Sequence, residues 1–154
     1  MPVPSRTLLA VLAVAATMGQ PAMAQTMSEP PLATEASDPS LKWGPCPEIF
    51  GAGCEIAVLH GDPGKPNADI FLRIAGGNTL AAHTHTSAER MVLVTGRLEV
   101  KYLRAPAATL LPGSYAFGPA GLPHKAMCLS KAPCTLFIAF EGPVDALAHA
   151  GPLD

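Results

Sequence analysis

Hydrophobic and polar positions follow three regimes along the chain. From Thr7 to Met18 nearly every residue is apolar, with Arg6 in front and Gly19, Pro21 and the triplet Ala22-Met23-Ala24 behind. A charged start, a short apolar centre and an Ala-x-Ala end predict a signal peptide over residues 1–24. The run is shorter than the ~20 residues a membrane-spanning helix needs, and no cysteine follows it to take a lipid anchor. Residues 25–40 are polar, Pro-rich and without period, which predicts a flexible leader. From Leu41 onward short apolar runs alternate with Gly/Pro punctuation such as Gly76-Gly77, Pro112-Gly113 and Pro119-Ala120-Gly121. These runs predict strands at Glu55–His60, Ala68–Ile74, Thr79–Thr84, Arg90–Thr95, Arg97–Leu103, Tyr115–Phe117, His124–Leu129 and Thr135–Glu141. The result is one all-β domain over 41–142 and a tail over 143–154. Within the tail, Val144–His149 is compatible with a turn or two of helix.

Composition narrows the class. The 154 residues are 49% hydrophobic and 14% charged, with a formal net charge of −2 and a mean hydropathy of +0.28. Loss of Arg6 with the signal peptide makes the balance more acidic still. A nucleic-acid partner is therefore not expected, because it requires a basic face. No later apolar stretch is long enough to span a membrane. Cleavage leaves roughly 130 residues, enough to bury a core unaided. Aromatic residues are only 5%, so that core rests on Val, Ile, Leu and Ala. Export places the protein in the periplasm or outside the cell. There the even set Cys46, Cys54, Cys128 and Cys134 is read as a disulfide framework with three possible connectivities. The local pairs Cys46–Cys54 and Cys128–Cys134 are the simplest. A free Cys128 thiol facing the interior is the alternative.

One window carries chemistry. His83 and His85 are two residues apart, so on a strand both imidazoles share a face. Glu89 opens the following strand, which can fold back beside the first. Downstream, a glycine-rich turn leads into His124. Three imidazoles and a carboxylate suit a divalent first-row metal.

These windows resemble the cupin motifs. Gly77, His83, His85, Glu89 and Gly96 match G-x5-H-x-H-x3/4-E-x6-G, and Gly113, Pro119, Gly121 and His124 match G-x5-P-x-G-x2-H, with Cys128 where the pattern ends in Asn. The resemblance implies a single jelly-roll (cupin) β-barrel. It implies one divalent transition metal held by His83, His85, Glu89 and His124. Affinity ordering leaves Fe, Mn, Ni, Cu, Co and Zn open. It also implies a small-molecule ligand. Three neutral histidines and one carboxylate leave one positive charge on a divalent ion, which favours an anion.

Two function classes follow. One is a metal-dependent oxidoreductase of the dioxygenase type. The other is a non-catalytic metal- or ligand-sensing module. No acid or base beyond the four ligands stands out, and a homodimer is left open. Arg73 reads as an outer-face residue, with the cavity mouth as the alternative, and Arg90 as surface. His60 and His149 lack a partner pattern. Phe71, Leu80, Met91, Phe117, Ala126 and Phe137 are candidate cavity walls, and Trp43 a packing anchor.

Overall fold

The computed structural model describes residues 30–154. The expected signal peptide and the first residues of the expected leader lie outside the described residues. The chain divides into units at 1–33 and 34–154, and the second carries the fold.

Among the described residues there are eleven strands and no α-helix. In chain order they are β1 (Trp43–Pro45), β2 (Cys54–His60), β3 (Ala68–Ile74), β4 (Thr79–Thr84), β5 (Glu89–Thr95), β6 (Leu98–Tyr102), β7 (Ala108–Leu110), β8 (Tyr115–Gly118), β9 (His124–Cys128), β10 (Cys134–Phe140) and β11 (Leu147–Ala148); a 3-10 turn spans Glu48–Phe50. All eight expected strands are present within a residue or two. The three unexpected ones are short. Gly44 and Pro45 mask β1, and β7 has only three residues. The tail forms β11 rather than a helical turn, because Leu147 and Ala148 pair with Thr84 and His83 of β4. That ladder satisfies backbone groups that so short a helix would leave largely unpaired.

The strands make two antiparallel sheets, ordered β1-β2-β3-β10-β5-β8 and β11-β4-β9-β6-β7. The expected single barrel is thereby corrected to a jelly-roll sandwich. Among the described residues no ladder joins the sheets, which meet through side chains instead. Period-two alternation supplies those side chains. Ile70, Ile74, Met91, Leu93, Leu136 and Ile138 from the six-stranded sheet are buried against Leu80, Leu98, Val100 and Ala126 from the five-stranded one.

Both local cysteine pairs lie at disulfide distance and are bridged. Cα–Cα is 5.5 Å for Cys46–Cys54 and 5.7 Å for Cys128–Cys134. Cys128 is therefore not the free thiol that the sequence left open. Its bridge ties the end of β9 in one sheet to the start of β10 in the other. Gly96, with φ of +89°, makes room for it, since a Cβ there would sit 2.8 Å from Cys134 Sγ. The segment before β1 is turn-shaped, with Asp38 N–H donating to the Glu35 carbonyl and Leu41 N–H to the Asp38 carbonyl. Residues 34–37 border a groove with Phe71 and Thr135 on the outer side of the six-stranded sheet.

Candidate metal centre

The adjacent strands β4 and β9, together with β5, bring the candidate ligands together. His124 opens β9, and simple alternation turns His124, Ala126 and Cys128 inward; all three are buried. On β4 alternation alone would fail. Leu80 and His83 are an odd number of residues apart, yet both are buried and both line the same cavity. The ladder shows why. Leu80 pairs with Ala126 and His83 with His124, so three steps on β4 span two on β9. A β-bulge at Ala81–Ala82 absorbs the extra residue and reverses the phase. It also leaves the Ala81 carbonyl 2.7 Å from His83 Nδ1. Two residues on, His85 follows on the same face. Glu89 opens β5 opposite Gly118 of β8. A Cβ on Gly118 would lie 2.7 Å from Glu89 Oε1, so only glycine lets the carboxylate rest there.

His83, His85 and His124 each offer a ring nitrogen, and these nitrogens lie within 4.8 Å of one another. Glu89 Oε1 is 3.2 Å from His124 Nε2, and Oε2 is 3.5 Å from His85 Nε2. All four side chains are buried. Each ring's Nδ1 faces a main-chain carbonyl: Ala81 for His83, Asp145 for His85, and Leu122 at 3.1 Å for His124. A carbonyl only accepts, so this network assigns the proton to Nδ1 and leaves Nε2 as a lone pair, the arrangement of metal-binding histidines.

The lone pairs then face a carboxylate whose buried Oε1 has no hydrogen-bond partner. Such a cluster is costly unless a cation lies among it. A proton can play that part. Burial pulls the His124 pKa down, but the adjacent Glu89, with the Leu122 carbonyl, raises it by more. Burial, followed by the charge on His124, holds His83 down at about 4, so His83 is available as a neutral donor near neutral pH. The donor set, the fixed tautomers and the orphaned carboxylate oxygen fit a divalent transition ion. Tyr102 is the register partner of His124, with the rings 5.2 Å apart. Burial, then the Glu89 charge, pushes its phenol up.

A cavity of about 50 Å³ adjoins the cluster, walled chiefly by aliphatic side chains such as Ile70, Leu72, Leu80, Met91 and Val100. Leu80, Met91 and Ala126 line it as expected, whereas Phe71, Phe117 and Phe137 do not. On β3 and β10 the inward positions are the even-numbered ones, which leaves Phe71 and Phe137 paired on the outer side. Phe117, on edge strand β8, is exposed. Arg73 is likewise outside. It grips Glu55 at 2.7 and 3.0 Å and lies 3.8 Å over the Trp43 ring. Arg90 pairs with Glu141, and neither His60 nor His149 joins the cluster.

Two contributors leave no signal in residue spacing. Phe50 packs edge-on against His83 at 4.6 Å, carried there by the disulfide-closed turn. Asp145 supplies the carbonyl to His85, and its Oδ1 accepts the Thr86 N–H at 3.0 Å. A backbone carbonyl leaves no mark in residue types, and Asp145 lies outside both motifs.

The fold recurs in known proteins. By fold, the chain is similar to the DMSP lyase DddQ from Ruegeria pomeroyi, with 19% identity, a TM-score of 0.62, and coverage of 73% of this chain and 64% of that one. It is similar to an RmlC-like cupin from Shewanella frigidimarina, with 18% identity, a TM-score of 0.56, and coverage of 68% and 86%. It is also similar to the oxalate decarboxylase of Bacillus subtilis, whose structure was studied for its Mn(II) centres. Here identity is 19%, the TM-score is 0.54, and coverage is 62% of this chain and 28% of the decarboxylase. The chain thus spans less than two thirds of the lyase and under a third of the decarboxylase. No curated protein matches it. Residues 35–145 match the model of the ChrR cupin-like domain. Together with the jelly-roll sandwich and the histidine cluster, that match shows that the chain belongs to the ChrR cupin-like family.

Proposed function

We propose that this protein is an exported cupin that holds one divalent transition metal at His83, His85, Glu89 and His124 and binds a small anion there. The observation that carries the reading is the set of three imidazoles fixed by backbone carbonyls around a buried, unpartnered carboxylate oxygen. When bound, the metal would supply a Lewis-acid centre, and a redox-active ion would add one-electron chemistry with O₂. The protein's own part is to orient the rings through main-chain carbonyls, to hold Glu89 against Gly118, and to keep water scarce with aliphatic walls. The two bridged cysteine pairs support an oxidising compartment, periplasmic or extracellular.

Beyond these four side chains, Asp145 is the one ionisable group on the cavity wall among the described residues, and its Oδ1 is already engaged by the Thr86 N–H. That favours binding or O₂ chemistry at the metal over reactions that need a separate side-chain acid or base. Metal titration followed by elemental analysis tests the reading. One ion per chain is expected for the native protein and none for His83→Ala or His124→Ala. Equal uptake by all three would refute it. Oxygen-electrode assays of the iron-loaded protein then separate turnover from binding alone.

A further inference from the structure

Building on the metal reading above, we infer that the site selects monoanions and rejects dianions, and that Asp145 is the residue that sets this preference. Charge is the starting point. Three neutral imidazoles and the Glu89 carboxylate reduce a divalent ion to one net positive charge. A monoanion cancels that charge. A second negative charge then needs its own partner, and the cavity wall offers none. Apart from the histidines, no lining residue carries a basic side chain. Arg73 and Arg90 are engaged elsewhere, Arg73 with Glu55 and Arg90 with Glu141, both outside.

The wall holds the opposite charge. Asp145 lines the cavity, and its Oδ1 lies 3.9 Å from His85 Nδ1. The side chain cannot swing freely away, because the same oxygen accepts the Thr86 N–H at 3.0 Å and the Asp145 carbonyl holds the His85 ring. A negative charge held beside the His85 imidazole, on a side chain 27% exposed that borders aliphatic walls, repels the distal carboxylate of a dianion. A head group on the metal leaves the rest of the ligand among Leu80, Val100 and Ile70. In about 50 Å³ that remainder is small and apolar. The ligand class is therefore a short monoanion with an apolar body, of which acetate is the simplest probe.

Co(II)-loaded protein gives a readout independent of activity, since visible absorption changes when a ligand reaches the metal. Acetate should perturb the spectrum, and its neutral isostere acetamide should not. Malonate should bind at least tenfold more weakly relative to acetate than it does to Co(II) free in solution. Asp145→Asn keeps the acceptor for Thr86 and the carbonyl for His85 but removes the charge. It should raise malonate affinity relative to acetate at least fivefold. Malonate binding to the native protein with its full solution advantage would overturn the inference, as would an Asp145→Asn variant with an unchanged malonate-to-acetate ratio. Failure to take up Co(II) at all would overturn the metal reading itself, and this inference with it.

Discussion

Strands β4 and β9 lie side by side and deliver imidazoles to one point by different means. β9 is regular: its first residue is His124, and every second residue after it is buried. β4 reaches the same point only because three of its steps are matched to two on β9. The bulge puts Leu80 in the core and His83 and His85 at the site, a combination that strict alternation forbids. It also exposes the carbonyl that fixes the His83 tautomer. A regular strand can place one imidazole at its end. Placing two imidazoles after a core residue of the wrong parity takes an irregularity, and the irregularity itself becomes part of the site.

The sharpest way to break this comparison is to delete Ala81. The strand would become regular, so either Leu80 or the histidine pair must face outward. Metal uptake should vanish, with a lower melting temperature by circular dichroism. His124→Ala on the regular strand should leave the fold standing and weaken metal binding by more than the ~100-fold upper range of losses seen when outer-sphere partners are removed. If the Ala81 deletion bound metal normally, the bulge would have no role in placing the histidines.

These two strands also mark how far the residues could be read in advance. The i, i+2 spacing was enough to put His83 and His85 on one face, and alternation was enough for His124. Neither revealed that β4 changes phase, because Ala81 and Ala82 are small enough to suit a regular strand equally well. The eight strands with apolar runs and Gly/Pro borders were legible. Those whose existence depends on a neighbour were not: β11 forms because β4 offers a free edge, and β7 because β6 does. The aromatic residues misled for a physical reason. Phe71 and Phe137 are apolar enough for the core, but parity puts them on the outer side, where Phe71 is still buried. Asp145 and Phe50 escaped notice because their roles depend on tertiary proximity rather than on spacing.

Glu89 extends the comparison to β5, the third strand at the site. Its carboxylate is held by the absence of a side chain on Gly118, where a Cβ would meet Oε1, Cγ and Cδ at 2.7, 2.8 and 3.2 Å. Gly118→Ala should push the carboxylate away from His124 and lower metal affinity about 10- to 100-fold. Isothermal titration would read this, and the fold should survive because Gly118 is not at a positive φ. An unaltered affinity would mean that Glu89 is not a ligand. Further from the site, the Cys128–Cys134 bridge fastens the two sheets at the end of β9 remote from His124. Replacing both cysteines with alanine should cost about 2–3 kcal/mol in denaturant unfolding, with little change in metal affinity. A large loss of metal binding would show that sheet separation at that end is transmitted along β9.

The smallest effect is expected where the pattern changes from inward to outward within one strand. Leu72 and Arg73 are neighbours on β3, one lining the cavity and the other lying against Trp43 and Glu55. Arg73 makes two short contacts to one Glu55 oxygen. The pair is still partly open to solvent, with 33% and 49% of the side chains exposed. At such exposure water and salt screen the charges, and an ion pair contributes ~0–1 kcal/mol. Stacking on the half-buried Trp43 indole adds about 0.5–1 kcal/mol. Arg73→Ala should therefore lower unfolding stability by about 1 kcal/mol or a little more, and part of that loss should disappear in high salt. Metal and acetate binding should match the native protein, because the guanidinium points away from the cavity. The same measurement also distinguishes the two positions open to Arg73 on sequence alone. If Arg73→Ala weakened acetate binding severalfold, the guanidinium would have to reach the cavity in solution. The site would then hold a second positive charge, and its rejection of dianions would have to be weaker than the charges on its wall imply.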